Sequence, residues 1–271
     1  GATGGAVREP ARRCARPGAV TCLAVPADRP TILATSGGLR PGVRTRLAFA
    51  GLVHHAVHLA GVEGRAPRIC HLGTALGDQR AVNAELDEAA DAAGFTLTHL
   101  NLFPMPTYGD VAGHLLAQDV VWVGGGSVAN LLAVWRVHGL DQIMREVWAA
   151  GVVLAGVSAG SICWHAAGTT DSFGPALRAV TDGLGLVPYG NGVHYDSEPA
   201  RRPTVHRLVA EGTLPVTYCT DDGAGLVYHG TELAECVAER DGAGCYRVER
   251  STTGEVVETV LPTRRLPDPP A

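Results

Sequence analysis

Through the first half of the chain, short apolar runs alternate with longer amphipathic stretches. Thr31-Ile-Leu-Ala-Thr35, Arg68-Ile-Cys-His-Leu72, Phe95 to Leu102, Asp119-Val-Val-Trp-Val123 and Val152 to Ala155 have the length and apolar content of buried strands. Between them, helical periodicity runs over about Arg44 to Ala60, Gln79 to Ala93, Asp110 to Gln118, Ser127 to His138 and Leu140 to Ala150. Gly61, Gly94 and Gly139 stand where helices stop, and Asp110 stands where one can be capped.

Strands that alternate with helices predict an α/β fold, a parallel sheet covered by helices on both faces. The fixed hand of the connections makes it doubly wound and mostly parallel. Ligands bind such sheets at the carboxyl ends of the strands. Ser36-Gly37-Gly38, Gly73-Thr74, Gly124-Gly125-Gly126 and Ser158 all fall there. Beyond Ser158 the pattern changes. Pro215 to Thr220, Gly225 to His229, Ala234 to Glu239, Tyr246 to Glu249 and Val256 to Val260 read as strands, a β-rich C-terminal extension of the same domain. Residues 1–29 read as a flexible leader, 30–261 as one domain, and 262–271 as a loose Pro-rich tail.

Composition narrows the function. The chain has 271 residues, 46% hydrophobic, enough for one sizeable domain. Its net charge of -5 and lack of any basic block argue against nucleic acid as a partner. No apolar run approaches the roughly 18 residues of a membrane span. Seven scattered cysteines without a C-x-x-C pair point to a reducing, cytoplasmic setting. No metal or cofactor is expected, and a homodimer is left open.

The chemistry centres on Gly156-Val157-Ser158-Ala159-Gly160, which fits the G-x-S-x-G nucleophile elbow. A sharp strand-to-helix turn lifts the serine oxygen above the strand ends and leaves the Ala159 N–H free for an oxyanion. Gly124-Gly125-Gly126 lacks the G-K-S/T of a phosphate loop; its bare N–H groups can complete that hole. Among the eleven histidines, His54 and His58 have metal-pair spacing but no third ligand, and His165 is placed inside the helix after the elbow, pointing away. His194, at the end of a short strand after a glycine-rich turn, can reach over a strand-end serine. An orienting carboxylate fits Thr220-Asp221-Asp222-Gly223; Asp222 is favoured, and a turn-capping role competes.

These residues resemble the serine peptidases of the aspartyl dipeptidase (peptidase E) and cyanophycinase family, whose fold is similar to class I glutamine amidotransferases. Val123 to Leu132 looks like its glycine loop and helix, Gly156 to Gly160 like its elbow, Tyr189 to His194 like its histidine loop, and Thr220 to Gly223 like its acidic turn. The resemblance covers about Thr31 to Gly230. It implies Ser158 as nucleophile, His194 as base, Asp222 as acid, and Gly125 and Ala159, with Gly126 beside them, as oxyanion donors. It also implies Asp171 as a ligand of the substrate's α-ammonium or a competing acid, and Arg201 or Arg202 as the cation for an aspartyl side chain. Three departures stand out: the third acid is usually Glu, Ser127-Val128 replaces a frequent Asn-Thr, and the loop before Arg201 is shorter.

The reading is a serine exopeptidase acting on short peptides, with N-terminal Asp as one preference. The alternatives are a cyanophycinase-like β-aspartyl peptidase, an α/β-hydrolase esterase and a non-catalytic binding protein. The esterase would order its triad Ser, acid, His and need His229, with Asp196 or Asp222 before it. Glutamine amidotransfer would need cysteine at the elbow, and Cys163 lies beyond it.

Overall fold

The computed structural model describes residues 1 and 27–269. The leader expected before residue 30 lies mostly outside the described residues. Its last residues belong to the fold, since Ala27 N–H bonds to Gly151 O at 2.8 Å.

In chain order the elements begin with β1 (Thr31–Thr35), β2 (Leu39–Pro41), β3 (Leu47–Phe49), α1 (Gly51–Leu59), β4 (Arg68–Leu72), α2 (Arg80–Ala93), β5 (Thr96–His99), α3 (Val111–Leu116) and β6 (Val120–Val123). They continue with α4 (Val128–Val137), α5 (Leu140–Ala149), β7 (Val153–Val157), α6 (Ala159–Ile162), β8 (His165–Thr170), β9 (Arg178–Val180), β10 (Val187–Gly192) and α7 (Arg201–Ala210). The last are β11 (Thr217–Thr220), β12 (Ala224–His229), β13 (Glu232–Ala238), β14 (Cys245–Arg250), β15 (Val256–Leu261) and β16 (Thr263–Arg265).

The main sheet runs β16-β13-β12-β1-β7-β6-β4-β5 and is mostly parallel. Only the β1–β12 and β12–β13 pairs are antiparallel. Its central strands β1, β6 and β7 are mostly apolar and almost wholly buried because both faces are covered. Side chains alternate between the two faces. Ile32, Ala34, Val121, Val123 and Leu154 enter one core with α4 and α5, while Leu33, Val120, Trp122, Val153 and Ala155 enter the other with α1 and α2. The second sheet, β15-β14-β11-β10-β8-β9, packs α7 through Val205, Leu208 and Val209. The C-terminal strands are divided between the two sheets.

Four expectations are corrected. The stretch from Arg44 to Phe49 is not helical: Leu47–Phe49 pairs with Leu39–Pro41 as a hairpin, and the helix starts only at Gly51. The first turn of that helix is fixed by Glu239, whose carboxylate accepts the Leu52 and Gly38 N–H groups at 2.8 Å each. The helix after the elbow is four residues long, so His165 opens a strand instead of sitting in a helix. The glycine-rich stretch before His194 is itself strand β10. The chain after Pro262 is not loose at its start, because β16 pairs in parallel with β13 and Leu266 is buried.

Asp110 and Ser127 cap α3 and α4 by accepting the Gly113 and Asn130 N–H groups. Ser127 thereby closes the glycine loop onto the helix that follows it. The five cysteines among the described residues are free and buried. Among the described residues no helix is long and apolar enough to cross a membrane.

Candidate active site

The site is built where β1, β6 and β7 end. Strand β7 turns directly into α6 at Ser158, whose φ of 58° and ψ of -112° lie in a region side chains seldom adopt. The turn is that sharp because β6 lies against it. A Cβ on Gly160 would stand 2.2 Å from Val123 O, and one on Gly156 would stand 2.5 Å from Gly160 O. Gly160→Ala is therefore expected to destabilise the protein by about 3 kcal/mol. Thermal unfolding should show a Tm lower by roughly 10 °C; an unchanged Tm would mean the elbow can open without cost.

Three backbone bonds hold Ser158. Its N–H donates to Thr35 O at 3.0 Å, and its carbonyl accepts from Ser161 and Ile162 N–H at 2.9 Å each. Its hydroxyl, unlike that of Ser127, makes no capping bond to the helix it precedes. The oxygen is therefore available for chemistry. Gly125 lies against it: a Cβ there would come 3.3 Å from Ser158 Cβ. Gly126, with φ of 130°, packs on Ala75 O. Among the described residues no hydrogen bond engages the N–H of Gly125, Gly126 or Ala159.

His194 is brought in from the second sheet. It follows β10, has φ of 53°, and donates its N–H to Ser36 Oγ at 3.1 Å. Ser36 follows β1 and lies 2.6 Å from Thr220 Oγ1 at the end of β11. One hydroxyl thus clasps the ends of three chain segments beside the elbow. His194 Nδ1 lies 2.5 Å from Asp222 Oδ1. That contact leaves Nε2 as the free ring nitrogen.

The two adjacent acids differ in kind. Asp221 is buried and turned to β14, accepting from Gly244 N–H at 2.9 Å and Tyr246 Oη–H at 3.0 Å; burial raises its pKa. Asp222 faces the histidine. Its backbone is braced from below: Asp196 Oδ1 accepts the Asp222 N–H at 2.8 Å, while Arg240 bonds the Asp222 carbonyl and pairs with Asp196. Burial alone would raise the Asp196 carboxyl, but the Asp222 N–H and Arg240 outweigh it and hold its pKa below the ordinary value.

The remaining candidates separate. Asp171 is exposed after β8, and its neighbour Ser172 accepts the Ala129 N–H at 3.4 Å, next to the glycine loop. The two arginines do not reach the elbow as free cations. Arg201 is 2% exposed and donates to Thr169 O at 2.7 Å and Glu198 Oε2 at 2.6 Å. Arg202 pairs with Glu258 and lies over the rings of Tyr195 and Tyr246, 4.3 and 4.6 Å from their centres. In this arrangement both guanidinium groups are already engaged within the protein. Arg201→Met should lower stability by about 2 kcal/mol without changing the ranking of substrates. Chemical denaturation and a peptide panel check both halves.

Other histidines are placed elsewhere. His229 pairs with Thr31, at the amino end of β1. That is about 13 Å along the strand from Thr35, which removes the esterase order of residues. His165 is fully buried between Ser161 O and Tyr228 Oη, and burial lowers its pKa to about 4. His54 packs on Phe95, ring centres 5.0 Å apart.

Sequence reasoning placed Ser36 at a strand end and weighed Asp196 only as the acid of the esterase order; it gave neither of them its role here, and it did not single out Arg240. Ser36 carried a signal, a serine before two glycines at a strand end. Asp196 stands two residues after His194. Arg240 carried none, because tertiary packing alone delivers it.

A parallel α/β sheet with a glycine-flanked serine at a strand end defines the class of serine-type hydrolases. The chain belongs to peptidase family S51, whose model matches residues 48–236, and is a serine-type peptidase. It is 40% identical over 200 residues to the uncharacterized peptidase YgaJ of Bacillus subtilis (strain 168), covering 74% of this chain and 85% of that one. Two solved structures share the fold. A peptidase from an acI-B1 Actinobacterium superposes with a TM-score of 0.63 at 16% identity, covering 87% of this chain and 95% of that one. A putative peptidase E protein from Listeria monocytogenes EGD-e superposes with a TM-score of 0.54 at 17% identity, covering 86% of this chain and 100% of that one.

Proposed function

We propose that the protein is an exopeptidase for short peptides that works through Ser158, His194 and Asp222 and an acyl-enzyme. The observation that carries this is the 2.5 Å contact between His194 Nδ1 and Asp222 Oδ1, beside a serine whose hydroxyl is not engaged by its own helix. Ser158 Oγ attacks the scissile carbonyl and passes its proton to His194 Nε2. Asp222 keeps the other ring proton on Nδ1 and stabilises the imidazolium. The N–H groups of Gly125, Gly126 and Ala159 take the oxyanion. His194 then protonates the leaving amine, and water repeats the sequence on the ester.

Asp171 beside the glycine loop is suited to a substrate's α-ammonium, which would confine cleavage to free N-termini. An N-terminal Asp preference lacks support, because both candidate arginines are engaged elsewhere. On this reading the fold is of the class I glutamine amidotransferase type, the peptidase works as one domain, and its setting is cytoplasmic. The test is a panel of di- and tripeptides, free and N-acetylated, incubated without added metal with the wild type and Ser158→Ala. Cleavage of free N-termini only, absent in the variant, is expected. Equal cleavage of acetylated peptides would overturn the exopeptidase reading.

A further inference from the structure

A cavity of about 90 Å³ lies beside the elbow, with Gly125 and Val157 in its lining. Its walls are Leu39, Leu76, Val82, Leu86 and Trp122, contributed by β2, α2, β6 and the turn after β4. No Asp, Glu, Lys or Arg lines it. The polar side chains in its lining are Gln79, Asn83 and His71. Asn83 gives its amide nitrogen to Asn101 Oδ1 at 3.0 Å, and Gln79 gives its own to Leu76 O at 3.2 Å. His71 lies with Nδ1 3.1 Å from His99 Nδ1, and His99 bonds Asp87 at 2.9 Å. Burial, with His99 beside it, lowers the His71 pKa to about 3, so its ring is neutral at working pH.

The cavity's side of the serine identifies its occupant. In the main sheet β7 has β1 on one side and β6, then β4, on the other. His194 is held at the end of β1 through Ser36, whereas the cavity is lined from the carboxyl ends of β7, β6 and β4 and from α2, with Leu39 of β2 completing it. The group that protonates the leaving amine stands on the leaving-group side. The cavity therefore lies on the acyl side, along with Gly125 and the glycine loop.

We infer that this cavity is the specificity pocket for the substrate's N-terminal side chain and that it selects an unbranched or γ-branched aliphatic residue, of the size of leucine or methionine, over aspartate. This rests on the Ser158 reading of the site. Size supports it: an apolar cavity of about 150 Å³ holds a benzene ring, so one of about 90 Å³ suits a side chain of about four heavy atoms and crowds a phenyl ring. Charge supports it too. A carboxylate placed there would lose water and meet neither a cation nor a protonated histidine.

The experiment measures kcat/KM for Leu-, Met-, Ala-, Phe- and Asp-initiated dipeptides with a common second residue. It uses the wild type, Val82→Phe and Val82→Arg; Val82 is a half-buried wall residue on α2. The same preparations are labelled with a fluorophosphonate, which reports the reactive serine whatever the pocket prefers. The expected result is labelling of all three proteins and a wild-type preference for Leu and Met over Ala of about 100-fold, with Asp lower still. Val82→Phe should reduce Leu and Met cleavage more than Ala cleavage, and Val82→Arg should raise Asp relative to Leu. Labelled protein that favours Asp, or that does not distinguish Leu from Ala, overturns the pocket and leaves the serine mechanism standing. Wild-type protein that neither labels nor cleaves overturns the mechanism and the pocket with it.

Discussion

Ser158→Ala is expected to lower kcat by about 10⁶ while leaving the fold intact. The size follows from what is removed. Without the hydroxyl there is no acyl-enzyme, and only the oxyanion N–H groups and substrate binding remain; these alone account for about 10³–10⁴ over the uncatalysed rate in related constellations. The fold should survive because the bonds at residue 158 to Thr35, Ser161 and Ile162 all use backbone atoms. Alanine tolerates the positive φ no worse than serine. Near-equal Tm and circular dichroism, together with lost turnover and lost fluorophosphonate labelling, are the expected outcomes. Turnover within tenfold of the wild type would remove Ser158 from the mechanism.

Asp222→Asn is the second large effect, a loss of about 10³ in kcat with little change in KM. Where the triad acid is buried, the corresponding change costs about 10⁴, because the imidazole adopts the wrong tautomer. Here the Asp222 side chain is 41% exposed and that of His194 25%, so water can replace part of the lost contact. The Asp196 and Arg240 brace acts on the backbone of residue 222 and stays in place in the variant. Asp222→Glu, one methylene longer, should retain more activity than Asp222→Asn, since its carboxylate still accepts the Nδ1–H hydrogen bond and keeps the charge that stabilises the imidazolium. Asp221→Asn supplies the contrast: its carboxylate serves Gly244 and Tyr246, so stability should fall while kcat of the folded protein stays near normal. Steady-state kinetics beside urea denaturation separate the two acids.

How far the chain could be read ahead of its structure depended on where each signal came from. Strands β1, β4, β6 and β7 are buried on both faces, so their apolar runs stood out, and helix ends at Gly94, Asp110 and Ser127 carried local chemistry. Strand β8, His-Ala-Ala-Gly-Thr-Thr, has no apolar signature and follows a helix too short to announce its own end. Strand β10 reads as a turn because its glycines answer to neighbours. A Cβ on Gly190 would stand 2.3 Å from Thr217 Oγ1, and one on Gly192 2.7 Å from Cys219 Sγ. The segment 201–210 carries two arginines and a proline in its first turn, which masks the helix α7. Within the candidate site, Ser158, His194 and Asp222 follow strand ends in motifs with their own spacing, so they stood out as candidates, and the structure puts His194 and Asp222 in contact. Arg201 could not be judged, because a sequence shows that a residue is cationic and not whether its guanidinium is already bonded inside the protein.

The clasp at Ser36 also has a consequence in time. Ser158 follows β7 of the first sheet, whereas His194 and Asp222 follow strands of the other sheet and are tied to the first by Ser36 and Arg240. Strand β12, which returns the chain to the first sheet, begins two residues after Asp222. In chain order the elbow at Ser158 therefore precedes the two residues proposed to act with it, His194 and Asp222. On the proposed mechanism, Ser158 gains its base and acid only once the second sheet has docked.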